Sequence, residues 1–142
     1  MRLFTHQQLW LWSSFLLILF GLSVSVSAAE GQGWERYSNE STLEVLTIDS
    51  EGEEYWSTFW LVVLDGQCYL RLGTRGAERI ERHTKQPHVS IKIAGQRSDQ
   101  VQVIRAPEMA EAVAAAMAEK YWSDLYVRYF PHPMTVRLEM AE

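Results

Sequence analysis

Hydrophobic and polar positions alternate along most of this chain, and the alternation gives way twice to a helical period. Thr42 to Asp49 places Leu43 and Val45 on one face and Leu46 and Ile48 on the other, which predicts a first strand. Ser50 to Glu54 is an acidic turn. Trp56 to Leu64 is a nearly unbroken apolar run, rich in aromatic and β-branched residues, as expected of a strand covered on both faces. Asp65-Gly66 then signals a tight hairpin, because glycine tolerates the positive φ of a type I′ turn. The return strand, Gln67 to Leu72, directs Cys68, Leu70 and Leu72 one way and Tyr69 and Arg71 the other.

After Gly76 the spacing becomes helical. Ala77, Ile80 and Thr84 share one side of a short helix over Ala77 to Lys85, while Arg75, Arg79 and Arg82 line another. Gln86-Pro87 ends it, since a residue before proline avoids the helical region. His88 to Ala94 alternates again, with Val89, Ile91 and Ile93 inward; Gly95 turns the chain, and Asp99 to Arg105 returns with Val101 and Val103 inward. Pro107, Glu108 and Glu111 open a second helix, and Met109, Val113, Met117 and Tyr121 form its core-facing stripe. Trp122 to Phe130 is aromatic and follows neither period; Pro131-His132-Pro133 is a rigid connector into a last strand, Met134 to Met140. The predicted order is β-β-β-α-β-β-α-β. It describes a mainly β chain with two helices, whose six strands can close into a small barrel with the helices outside or across its openings.

The first 28 residues stand apart. Arg2 precedes an apolar core, Leu9 to Leu22, and small residues follow at Val26-Ser27-Ala28, the pattern of a cleaved secretory signal with its cut after Ala28 or Ala29. The apolar core is short of the about 20 residues that span a bilayer, so an uncleaved anchor is the lesser alternative. Residues 29–41 read as an irregular lead-in, and residues 42–142 as the domain. The expected product is secreted or periplasmic, with no membrane attachment after cleavage.

Charge and cysteine narrow the function classes. The formal charge is −5 over 142 residues, and losing Arg2 with the leader makes it −6. Such a surface argues against nucleic-acid binding. Cys68 is the single cysteine, which excludes an internal disulfide and reads as a small buried hydrophobe. His83, His88 and His132 match no metal-ligand spacing. No nucleophile elbow, phosphate-binding loop or Cys-x-x-Cys is present. The basic residues, however, cluster: five of the twelve beyond the leader fall between Arg71 and Lys85. Thr74 to Gly76 lies where a helix begins, so free N–H groups and the helix dipole add to an anion site there. The bland alternative is a solvated helix laced by Glu78–Arg82 and Glu81–Lys85 pairs, each worth about 0.2–0.5 kcal/mol. Trp56, Trp60, Tyr69 and Trp122 are the candidates to stack on a flat ring.

The strand TFWLVVLDGQ, then YLRLGTRG, a short helix and the segment from Gln86 to Ile93 resemble the split-barrel flavin-binding superfamily, the pyridoxamine-phosphate-oxidase-like proteins and their deazaflavin-dependent relatives. The resemblance covers residues 42–139 and rests on arrangement, not on one motif. It implies a six-stranded split β-barrel, a flavin-type cofactor (FMN or a deazaflavin coenzyme) and a homodimer with cofactor sites across its interface. By position it assigns the cofactor phosphate to Arg71, Thr74 and Arg75, with Arg79 and Arg82 as helpers. An oxidoreductase would follow, because the flavin carries the chemistry and the chain needs no conspicuous acid–base set. The leader departs from a typically cytosolic family. That departure keeps two alternatives in view: a non-catalytic ligand- or protein-binding barrel of the cell envelope, and a barrel that binds another group such as haem. An intact-mass measurement on chain recovered from an exporting host tests the leader: the expected mature form begins at Ala29 or Glu30, and retention of Met1 contradicts it.

Overall fold

The computed structural model describes residues 33–83 and 88–141. The predicted leader, and the helix end at Lys85 and Gln86-Pro87, lie outside the described residues. Six strands form: β1 (Thr42–Ile48), β2 (Glu54–Leu64), β3 (Gln67–Leu72), β4 (Val89–Ile93), β5 (Gln96–Arg105) and β6 (Met134–Met140). They close into an antiparallel barrel in the order β1-β2-β3-β6-β5-β4, with Val45 opposite Ile91 at the closure. Helix α1 (Thr74–His83) follows β3, and α2 (Ala110–Lys120) and the single-turn α3 (Asp124–Val127) lie between β5 and β6.

The barrel interior holds the residues that alternation directed inward. Leu43, Val45, Leu61, Leu70, Ile91, Val101, Val136 and Leu138 are all at or below 1 % exposure. Cys68 is among them, free and fully buried, and burial pushes its thiol up to about 12, so it is an inert hydrophobe. The Asp-Gly turn forms as predicted, with Asp65 at φ 49° and Gly66 at φ 72°. Ala94-Gly95 makes a second turn of the same hand, at φ 48° and 75°.

The central hairpin is covered on both sides. Beneath it is the barrel core. Above it Val62 and Tyr69 pack on Val113, Met117 and Tyr121, the predicted stripe of α2, with Met109 at the margin. Among the apolar side chains of β2, coverage is complete only at Leu61 and Val62: Val63 and Leu64 toward the turn and Trp56 and Trp60 toward the other end are half-buried, and Thr58 is exposed. Pro107 opens a 3-10 turn, Pro107–Met109, one turn ahead of α2, so the α-helix itself starts at Ala110. At the far end of α2, Lys120 Nζ donates to the carbonyls of Ser38 (2.9 Å), Glu40 (2.5 Å) and Leu61 (3.2 Å), and Tyr121 Oη donates to the Ser41 carbonyl at 2.7 Å. The lead-in is tied down by these bonds and by a 3-10 turn, Trp34–Tyr37, whose Trp34 and Tyr37 are buried.

Helix α1 begins at Thr74, three residues before the point the apolar spacing indicated, and inserts Ala77 and Ile80 into the barrel core. Gly76 allows this close seat. A Cβ there would lie 2.7 Å from the Phe59 ring and 3.7 Å from Leu72 Cβ. The expected cost of Gly76→Ala is overpacking of about 1–3 kcal/mol, which outweighs the up to about 1 kcal/mol that alanine adds to a helix. Chemical denaturation checks this: Gly76→Ala should destabilise, and Phe59→Leu in the same chain should recover most of the loss.

Candidate functional site

The end of β3, the first turn of α1 and the chain from α3 to β6 enclose a cleft of about 520 Å³. Arg71, Thr74 and Arg75 line it together, with Gly73 and Gly76 between them. Of the candidate stacking rings, Trp60 lines the cleft, backed by Tyr121 in a parallel stack at 4.7 Å. Trp56 lies instead under Lys92, 3.8 Å from the ring centroid; Tyr69 is buried beneath α2; Trp122 is 80 % exposed and does not line the cleft.

Arg79 and Arg82 are placed elsewhere. Arg79 donates to Ser57 Oγ at 2.9 Å and lies over the Tyr55 ring at 4.7 Å, against the β1–β2 side of α1. Arg82 pairs with Glu78 at 3.8 Å on the helix surface, as the i, i+4 spacing indicates. Glu81, expected to face Lys85, bonds Arg105 at 2.5 Å. The α1 arginines therefore divide, and Arg75 alone among them faces the cleft.

Sequence reading missed the other half of the site, which comes from the aperiodic stretch. Asp124, at the start of α3, is 2 % exposed and accepts a hydrogen bond from Arg71 Nη1 at 3.0 Å; Arg128 Nε is 3.6 Å from its other oxygen. Arg71 itself is 13 % exposed. An arginine on the outward face of a strand, hemmed by Tyr69 and α2, needs a counter-charge, and that requirement is the only signal that pointed to an acid nearby. His132, read from sequence as a plain loop residue, lines the cleft, and its Nδ1 is buried without a hydrogen-bond partner. Burial, and then the Arg71 charge, hold its pKa below the ordinary histidine value against the opposing pull of the Phe130 carbonyl and Asp124, so the ring is neutral at pH 7. Met117, Val127 and Phe130 complete the apolar wall.

The arrangement suits an anionic, flat ligand. Arg75 is exposed and has no ion-pair partner among the described residues, so its fork is available. Arg71 is held in place by Asp124 and shares its charge. Thr74, Arg75 and Gly76 are the first three residues of a ten-residue helix without an acid in its first turn, so its leading N–H groups and dipole face the cleft unopposed. Among the described residues no group of three or more His, Cys, Asp or Glu could hold a bare metal ion, and no helix is long and apolar enough to cross a membrane.

No protein-family model and no curated protein sequence matches the chain. The fold is shared with solved structures. A conserved hypothetical protein, Rv2991 of Mycobacterium tuberculosis, superposes with a TM-score of 0.52 at 19 % identity, covering 75 % of this chain and 78 % of that one. The haem-storage protein HutZ of Vibrio cholerae gives 0.53 at 19 % identity, over 75 % and 87 %. Atu2129 of Agrobacterium tumefaciens, of unknown function, gives 0.52 at 18 % identity, and this chain covers 49 % of its length. At these identities the likeness defines the barrel, a six-stranded split-barrel type, and nothing finer.

The buried pair gives a direct test of the site's construction. Asp124→Ala leaves Arg71 largely desolvated without its partner, for an expected loss of about 3 kcal/mol in urea denaturation. Replacing both, with Arg71→Met, should recover part of that loss.

Proposed function

We propose that the cleft binds a flat cofactor bearing phosphate or carboxylate, with flavin mononucleotide the first candidate and a deazaflavin coenzyme of the same shape beside it. The observation that carries this reading is the convergence of Arg71, Thr74, Arg75 and the first turn of α1 on one cleft walled by Trp60 and Phe130. Arg75 and the helix N–H groups take the anionic end, Thr74 adds a hydroxyl, and the aromatic wall takes the ring. Arg79 and Arg82 act on the surroundings of α1 and not on the ligand. Bound there, a flavin supplies hydride or electron transfer, and the chain binds it and shields it from water. On this reading the chain is a member of the pyridoxamine-phosphate-oxidase-like superfamily and an exported oxidoreductase; a non-catalytic envelope binder would use the same cleft.

Haem is the second reading. It is favoured by the likeness to the haem-storage protein HutZ and by the neutral imidazole of His132 on the cleft wall. Either cofactor is compatible with a homodimer. Trp122, Leu125, Tyr126, Tyr129 and Phe130 are 58–84 % exposed within nine residues, beside the cleft, and a second copy would cover them.

Fluorescence titration with flavin mononucleotide tests the proposal. Saturable binding is expected, weakened about tenfold or more by Arg75→Ala, since a hydrogen bond to a charged group contributes roughly 1.5–3 kcal/mol. Arg82→Ala should leave the affinity unchanged. Equal loss in both variants, or no binding of any flavin or porphyrin, contradicts the assignment.

A further inference from the structure

We infer that Asp124 is a releasable latch: it holds the return segment against the barrel through Arg71, and a ligand phosphate that takes Arg71 turns it to Arg128 and frees the segment. The inference rests on the cofactor reading of the cleft and gives that reading a moving part.

The segment from Trp122 to Pro133 has few other fastenings. No residue in it belongs to either buried apolar cluster, and its Val127 and Phe130 face the cleft. From Asp124 to Phe130 each backbone N–H bonds a carbonyl three or four residues back, within the segment or at Tyr121. The His132 ring bonds the Phe130 carbonyl, again within the segment. Among the described residues, the bond from Arg71 Nη1 to Asp124 Oδ1, at 3.0 Å, is the one side-chain hydrogen bond that joins it to the barrel.

The turn also has its polarity reversed. Asp124 is the one buried side chain of α3, while Leu125, Tyr126, Tyr129 and Phe130 are 58–84 % exposed. Apolar burial, which seats α1 and α2, does not seat α3. The ion pair does, and a buried ion pair is a weak fastener, because desolvating two charges offsets most of their attraction.

Asp124 has a second partner that moves with it. Arg128 Nε lies 3.6 Å from Asp124 Oδ2 and donates to the Asp124 carbonyl at 3.2 Å. Arg128 is 40 % exposed and does not line the cleft, so a carboxylate turned toward it keeps a counter-charge and regains water. A phosphate monoester carries about −1.5 to −2 charges and three acceptor oxygens, which suit Arg71 and Arg75 together. With Asp124 in place that phosphate would lie beside a buried carboxylate in the same cleft, and like charges repel strongly where water is scarce. The exchange removes the repulsion and leaves every charge paired. A neutral ring has nothing to give Arg71 and leaves the latch shut.

The test pairs calorimetry with a spin label on the full chain. A nitroxide on Tyr129→Cys reports the segment's mobility, since Tyr129 is 84 % exposed and the native thiol of Cys68 is buried. Flavin mononucleotide should shift the label's spectrum toward its mobile component, whereas riboflavin, the same ring without phosphate, should not. Asp124→Asn should show the mobile spectrum with no ligand added. It should bind flavin mononucleotide about tenfold more tightly than wild type, with riboflavin affinity unchanged. Arg128→Ala should weaken flavin mononucleotide binding in the wild-type background and leave it unchanged beside Asp124→Asn, which separates a receiving partner from a plain surface charge. A label immobilised by flavin mononucleotide, or weaker binding by Asp124→Asn, overturns the inference and leaves the cofactor reading intact. No binding of flavin mononucleotide by wild type or by Asp124→Asn ends both.

Discussion

The structure depends on covering both faces of the central hairpin. Leu61 and Leu70 point into the barrel, and Val62 and Tyr69 point out of it, so a closed barrel alone satisfies only half of the pair. Burying each large apolar side chain contributes about 1.5–3 kcal/mol, which makes an uncovered outer face costly against the stability of a small domain. Helix α2 supplies the cover through Val113, Met117 and Tyr121. Tyr121 Oη accepts from the Leu61 N–H at 3.2 Å and Lys120 bonds three carbonyls around it, which fixes where the cover stops. Past Tyr121 the chain has to return to β6, and that return over the end of β3 makes the cleft.

The site's electrostatics follow from the same geometry. Arg71 is the one charged residue on the covered face of β3, and Asp124 on the returning chain neutralises it. The pair joins barrel to return segment and keeps the segment against the strand. It also divides the work among the cations: Arg71 is positioned and partly spent, whereas Arg75, one residue into α1, is free. A chain of net charge −5 thus carries a locally positive cleft. Charge count bears on solubility and on partners, while the placement of two guanidinium groups and a helix N-terminus sets what the cleft attracts.

Sequence alone disclosed the strands and their inner faces, because alternation is a local consequence of pleating: Val89, Ile91 and Ile93, or Val136 and Leu138, could point inward together only as strands. The same holds for the Asp65-Gly66 turn and for the stripe of α2. The start of α1 was less visible, since Thr74 to Gly76 has no apolar residue to mark the period and Gly76 is chosen for its contact with Phe59. Asp124 and His132 were hidden for a different reason. Each meets Arg71, more than fifty residues away in the chain, and no spacing rule reaches that far. Arg79 and Arg82 show the converse. Their sequence proximity to Arg75 suggested a shared role, but a helix turns about 100° per residue and directs Arg79 toward Ser57 and Tyr55.

The central claim is that the cleft between α1 and the return segment is the ligand site. Amide-resolved NMR of the isotope-labelled protein, titrated with flavin mononucleotide and then with a diamagnetic metalloporphyrin, tests it most directly. The account predicts shifts concentrated at Gly73, Thr74, Arg75 and Gly76 and at Val127, Phe130 and His132, with the β1–β4 side unchanged. Shifts centred instead on the hollow between Arg36 and Arg97, or spread without focus over the barrel, would contradict it.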